Sequence, residues 1–434
     1  MKRSLTTQAP PSRSYSWAVV GMLWLVCFFN YADRQAIFSV FPLLQTEMHL
    51  TVIQLGLLGS AFAWVYGISG PVAGLLVDRF RRKSAILGGL EFWSILCALS
   101  AFSRTFAQLI IFRGAEGLGE SLYYPASTSL ISDYHGKRTR SRALGVLVTS
   151  VYAGTVGGGL WAGAMAQKHG WRMPLFVLGL VGCVLGAILF FTLREAQRGS
   201  ADGPAEAHAA VLSASQTLKS ILKTPTVLVL AAVFVCANFV ALVLLAWMPA
   251  YLYQRFHLTL AKAALMATIY PQVASMAGAF VGGLLADAWS TRTPRGRMLT
   301  QLVGVSAGIP FVVLAGHAST LNGVTVGLIG WGFAKGMYDA NIFASVFDVI
   351  RPQARGTASG LMNCVGWLLG GGTAPLVIGF LSVRIGLGPS ISFAAVAYVA
   401  AAALLALGAL RWLSADVERL NASAFDETAR LGRA

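Results

Sequence analysis

Asn30-Tyr31-Ala32-Asp33-Arg34 sets a carboxylate beside a guanidinium inside an apolar stretch covering 15–38. A charged side chain at the centre of a bilayer costs about 3 kcal/mol on insertion scales, so such a pair needs a reason to be there. The plainer reason is an ion pair that only holds helices together; the functional one is a path for solute or protons. Charges return inside two further apolar stretches, as Arg113, Glu116 and Glu120 in 106–131 and as Lys335 and Asp339 in 321–347. That recurrence favours the path, and the rest of the chain reads as a frame for these three clusters.

Of the 434 residues 56% are hydrophobic and 12% charged, and the mean hydropathy is +0.67. Soluble domains carry about 25% charged residues and rarely sustain apolar runs of about 20. An all-α integral membrane protein is therefore expected. Apolar stretches fall at 15–38, 53–77, 84–102, 106–131, 143–166, 171–193, 225–251, 261–288, 299–316, 321–347, 356–382 and 387–411. Each can cross about 30 Å of hydrocarbon as a helix, and the alternation of a barrel strand is absent. This predicts twelve transmembrane helices in two pseudo-symmetric six-helix bundles: 1–195, a cytoplasmic linker 196–224, a second bundle 225–412 and a cytoplasmic tail 413–434.

The formal net charge is +16, but the basic residues gather in short loops between spans, with no contiguous basic domain or aromatic ladder for nucleic acid. Counting Lys and Arg places both termini in the cytoplasm, in a bacterial inner membrane. The start, Met1-Lys2-Arg3, has no short apolar run with a small-residue cleavage site, so no removable leader is expected. Cys27, Cys97, Cys183, Cys236 and Cys364 lie in apolar stretches without ligand spacing and read as core residues, so no metal and no cofactor are expected. No nucleophile–base pair, phosphate loop or nucleotide motif appears, which argues against an enzyme and against ATP as the energy source.

The halves echo each other. Gly74-Leu75-Leu76-Val77-Asp78-Arg79-Phe80-Arg81-Arg82-Lys83 closes the second span, and Gly283-Leu284-Leu285-Ala286-Asp287, followed by Arg292, Arg295 and Arg297, closes the eighth. A parallel repeat of six spans is an alternating-access design, two bundles rocking about a central site. Asp78, Arg79, Arg82 and Asp287 are candidates for a latch that forms when one face closes; plain topology and solvation is the other reading.

Over nearly its whole length the chain resembles the major facilitator superfamily. Gly74 to Lys83 is similar to its loop signature, and Gly283 to Arg297 is a looser copy lacking the compact basic run. Asn30 to Arg34, taken with Arg113-Gly114-Ala115-Glu116-Gly117-Leu118-Gly119-Glu120, resembles the anion:cation symporter family of sugar-acid and organic-anion carriers. Gly117 to Ser121 is also similar to the spinster family of lipid transporters. The symporter resemblance implies that Glu120 couples protonation to transport, that Asp33 is a second protonation site and that Arg34 anchors the substrate.

The residues themselves support several roles. Arg113 and Glu116, three apart, can pair on one helix face, with Glu120 on roughly that side. A carboxylate short of partners in a dry cavity can hold a proton near neutral pH, which suits Glu120 and Asp33. Arg34 and Arg113 offer planar forks for a carboxylate or phosphate, or merely neutralise the nearby acids. Lys335 is a second anion contact or the partner of Asp339. Tyr31, Tyr66, Tyr124, Asn238, Asn341, Asn363 and Trp367 supply neutral polar groups for a cavity wall or for helix–helix bonds. The expected function is proton-coupled symport of a small organic anion, such as a sugar acid or hydroxylated monocarboxylate, by a monomer among membrane lipids. The alternative is a spinster-like, proton-dependent carrier of lysophospholipid or another amphipathic lipid. A lateral opening with an apolar groove would favour the lipid, and a small closed polar cavity the anion.

Overall fold

The computed structural model describes residues 13–136, 138–197, 200–201, 214–351, 354–420 and 422, with the side chains of 78 and 214–217 outside the description. All regular structure among these residues is helical: α1 (Arg13–Ser39), α2 (Phe41–Glu47), α3 (Val52–Arg79), α4 (Arg82–Ser100), α5 (Phe106–Tyr134), α6 (Arg140–His169) and α7 (Arg172–Thr192) in the first half. A short α8 (Ala214–Leu222) precedes α9 (Pro225–Phe256), α10 (Leu260–Ser290), α11 (Gly296–His317), α12 (Leu321–Asp339), α13 (Ile342–Phe347), α14 (Arg355–Val365), α15 (Ala374–Ile385), α16 (Leu387–Phe393) and α17 (Ala395–Arg411). A π-helical turn, Gly366–Gly371, joins α14 to α15, and a last helical stretch covers 413–420.

Ten of these helices or helix runs are long and apolar enough to cross a membrane. The helices on the expected fourth and tenth stretches fall outside that set. α5 carries Arg113, Glu116, Glu120 and Asp133, while α12 has 19 residues, is glycine-rich and ends in Lys335 and Asp339.

Local chemistry explains where helices start, and it repeats. His49-Leu50-Thr51 and His257-Leu258-Thr259 are the same tripeptide before α3 and α10, each His left-handed (φ 53° and 51°) and each Thr capping the helix that follows. A positive φ is uncommon outside glycine, so this is a shared turn rather than coincidence of composition. Thr105 and Thr320 cap α5 and α12 in the same way. At the other, basic end Arg82 pairs with Asp133 and lies 3.2 Å from Glu195, tying α4 to the end of α5 and to the chain after α7. Arg297 pairs with Asp348 at the corresponding corner of the second half. There too, Asp416 accepts hydrogen bonds from the Thr226 backbone N–H (3.0 Å) and hydroxyl (2.7 Å), clasping the stretch after α17 to the start of α9.

Glycines show how the halves meet. Cβ atoms added at Gly59 on α3, Gly163 on α6 and Gly379 on α15 would lie 3.1 Å from Pro375 of α15, 2.8 Å from the Leu260 carbonyl and 3.0 Å from the Val52 carbonyl. Ser60 on α3 accepts from the Leu376 N–H (3.2 Å), Gln35 donates to the Leu245 carbonyl (3.2 Å) and Gln254 to Gln45 (3.1 Å). Towards the basic end, Gly70 and Gly74 on α3, Gly145 on α6, Gly283 on α10 and Gly356 and Gly360 on α14 have nothing within 4 Å of such an atom. The halves are thus joined at the end of the threonine caps and separated at the basic end.

Candidate functional site

Backbone proximity delivers the charged groups. A Cβ at Gly117 would lie 2.9 Å from the Phe62 carbonyl and the Tyr66 nitrogen of α3, and one at Gly119 would lie 2.9 Å from the Gly89 carbonyl of α4. Gly117-Leu118-Gly119 therefore lets α5 wedge between α3 and α4, and the next residue, Glu120, enters the interior. On the other side Gly154 and Gly158 of α6 bring that helix onto α1 at Phe28 and Ala32, fixing the turn that bears Asp33 and Arg34.

Asp33, Arg34, Arg113, Glu116 and Glu120 are all buried together. Arg34 Nε donates to Glu120 Oε2 at 2.5 Å. Arg113 Nη1 pairs with Glu116 Oε2 and lies 3.5 Å from Asp33 Oδ1, while its Nη2 donates to the Arg34 carbonyl at 3.5 Å. Cys97 Sγ of α4 is 3.2 Å from Asp33 Oδ1, and Ser100 donates to Glu116 Oε1 at 3.3 Å. The cluster holds three carboxylates and two guanidiniums, so with all five ionised it carries one surplus negative charge. Asn30 Nδ2, Asp33 Oδ2, Arg34 Nη1, Arg113 Nε and Glu120 Oε1 have no hydrogen-bond partner among the described residues. Donor atoms of Asp33, Cys97 and Glu116 lie within 4.8 Å of one another, a spacing that suits a metal, but Arg113 supplies the cation there.

Aromatic rings enclose the Arg34 guanidinium: Tyr66 at 4.4 Å, Tyr31 at 4.8 Å, Phe62 at 5.0 Å and, from the second half, Trp367 at 5.4 Å. Such faces attract a cation. Tyr66 and Trp367 touch edge to face, 5.2 Å between centroids. They stand where α3 and the π-helical turn part: a Cβ at Gly67 would still lie 3.1 Å from Leu368, whereas Gly70 has no neighbour.

The structure thus gathers Asp33, Glu120, Arg34, Arg113, Tyr31, Tyr66 and Trp367. Asn341 is buried at the break between α12 and α13 and donates to the Gly282 (3.2 Å) and Met337 (3.0 Å) carbonyls, which ties that break to α10. Asn238 donates to the Phe234 carbonyl of its own helix at 2.9 Å. Tyr124 and Asn363 are exposed, Tyr124 standing near Tyr31 and Tyr66. Lys335 pairs with Asp339 on α12, with Tyr152 of α6 near it. Among the latch candidates, Arg79 and Asp287 are exposed, the Asp78 side chain lies outside the described residues, and Arg82 is buried with acids of its own half. Arg82 also donates to the Ala196 carbonyl (3.0 Å), so among the described residues it is a clamp within the first half. Sequence reasoning missed Asn30, Phe62, Cys97 and Ser100; none carries a charge or a spacing that marks it.

A family description, Major Facilitator Superfamily, matches residues 23–375. The chain is 26% identical over 412 residues to a Xenopus tropicalis sphingosine-1-phosphate transporter, SPNS2, covering 87% of this chain and 77% of that one. It is 25% identical over 352 residues to the Bacillus subtilis hexuronate transporter, covering 80% and 83%. The crystal structure of a bacterial homolog to the human lysosomal transporter Spinster, inward-facing and unoccupied, superposes with a TM-score of 0.84 at 22% identity, covering 93% and 99%.

Proposed function

This chain belongs to the major facilitator superfamily, and from that we propose that it is a spinster-like, proton-coupled carrier of an anionic amphiphile of the lysophospholipid class. At the coarser level it is a multi-pass membrane protein that carries out secondary transport of a small polar or charged solute, and not an enzyme. α5 and α12 complete twelve spans in two six-helix bundles, 1–195 and 225–412, joined by 196–224. The basic end is cytoplasmic by the excess of Lys and Arg, in a bacterial inner membrane.

The observation that carries the lipid reading is the open space beside Gly70 and Gly74 on α3 and Gly356 and Gly360 on α14, towards the basic end. Ile68, Val72 and Leu75, spaced i, i+4 and i+7, leave an exposed apolar stripe on α3 there. An acyl tail suits that stripe, and an anionic head group suits the Arg34 edge beyond Tyr66 and Trp367. For the small-anion reading the sequence favoured, the specific support is likeness to the hexuronate transporter.

Coupling follows from competition for one guanidinium. A head group that takes Arg34 away from Glu120 strands a buried carboxylate, which is costly unless neutralised. A proton on Glu120, or on Asp33 beside it, removes that cost and frees Arg34. Arg113 stays committed to Glu116. Asp78, Arg79 and Asp287 then serve as a latch when the basic end closes in the other half of the cycle.

The test is uptake into proteoliposomes under an imposed pH gradient, comparing fluorescent (NBD-labelled) lysophosphatidic acid, scored by albumin back-extraction, with radiolabelled glucarate. Gradient-stimulated protection of the lysolipid is expected. Glucarate accumulation with no lysolipid movement would transfer the function to the small-anion class.

A further inference from the structure

Cys97 comes to the buried cluster from α4, as Ser100 does, and it faces two acceptors at once. Its Sγ lies 3.2 Å from Asp33 Oδ1 and 3.3 Å from the Leu175 carbonyl of α7. A thiol has one hydrogen, so it donates to one of them at a time. The site is dry, with Cys97 1% exposed and Asp33 3%. α7 is held close enough for Leu175 to compete because Gly179 packs on α4; a Cβ there would lie 2.7 Å from that of Ala98.

We infer that Cys97 is a positioning residue for the proton on Asp33: its S–H points to Asp33 while that group is a carboxylate and turns to the Leu175 carbonyl once Asp33 is protonated. The inference rests on the reading above, that Asp33 exchanges protons during transport. No bond to sulfur forms or breaks. The thiol rotates, and the proton that reaches Asp33 comes from outside the cluster, not from sulfur. The other groups facing Asp33 do not offer this choice. Arg113 of α5 is shared with Glu116 and, through Nη2, with the Arg34 carbonyl, Arg34 of α1 is held by Glu120, and Glu116 of α5, whose carboxylate lies within 4.8 Å of that of Asp33, is itself taken by Arg113. Asp33 Oδ2 has no hydrogen-bond partner among the described residues, so Oδ1 is where the carboxylate is steadied from within the protein.

The experiment is an infrared pH titration of the protonated-carboxyl band that Asp33→Asn removes, run on the full-length protein in lipid for wild type, Cys97→Ala and Cys97→Ser. Loss of one hydrogen bond to the ionised form should move the band's midpoint to higher pH by about half a unit in Cys97→Ala. Cys97→Ser, which restores a donor, should titrate at or below the wild-type midpoint and keeps the comparison informative where the alanine variant is unstable. The pH profile of NBD-lysophosphatidic acid uptake should shift in parallel. A merely structural role would lower the melting temperature and the maximal rate without moving either midpoint. Equal midpoints in wild type and Cys97→Ala, or no band lost in Asp33→Asn, overturns the inference. A shifted band with no lysolipid uptake by wild type overturns the proposed substrate instead and leaves Cys97 in its role.

Discussion

Glu120→Gln isolates the step on which coupling depends. Glu120 is buried at 1% exposure with Arg34 Nε at 2.5 Å, and a glutamine oxygen can accept that same bond, so the geometry survives the change. What changes is charge. Three carboxylates against two guanidiniums leave the wild-type cluster one proton short of neutrality, whereas the variant is neutral with no proton bound. Because a surplus charge is removed rather than a needed one, the variant should escape the loss of about 3–5 kcal/mol expected from breaking a buried pair. The assay is accumulation in proteoliposomes with one pH unit imposed, acidic outside, and the membrane potential clamped at zero. One pH unit is about 1.4 kcal/mol for each coupled proton, an accumulation ratio of about ten. Wild type should approach that ratio. Glu120→Gln should settle near one while still exchanging substrate across the membrane, and its uptake should lose its dependence on pH. Tenfold accumulation by the variant would refute the argument.

Arg34→Lys replaces a fork with a point charge and should raise KM for uptake at least tenfold; an unchanged KM would release Arg34 from anchoring. Arg82→Ala removes the guanidinium that joins Asp133 to Glu195 and should cost about 3 kcal/mol in thermal or denaturant melts, with a loss below about 1 kcal/mol showing that the corner is not a clamp. Asn341→Ala should lower stability by about 1–2 kcal/mol and leave KM alone, and a changed KM would return Asn341 to the cavity wall. Gly163→Leu places bulk against the Leu260 backbone, so the capped end should stay open: transport should stop and cysteines introduced near residue 45 should label faster, whereas normal transport would contradict the tight seam.

The membrane class and the buried acids were legible because charge inside an apolar run has few innocent explanations. Asp33, Arg34, Arg113 and Glu120 share a site since such charges must find one another where water is absent. Neutral residues gave no such warning. Asn341 and Asn238 satisfy neighbouring carbonyls, and only coordinates distinguish that from lining a cavity. Cys97 looked like any core thiol, and its partner is 64 residues away. The repeated His-Leu-Thr turn was in plain view, but a left-handed histidine is not something sequence pattern announces. Nor does a run of glycines at 370–372 foretell a π-helical turn, since the same composition serves close packing.

The Asp416 clasp on Thr226 bears on how the protein is handled. One carboxylate satisfies both the N–H and the hydroxyl of Thr226, next to the proline that opens α9, and α9 packs directly on α17. A reporter fused after about residue 420 leaves that fastening whole, while a truncation at 412 would unhook the first turn of α9 and loosen the second half at its basic corner.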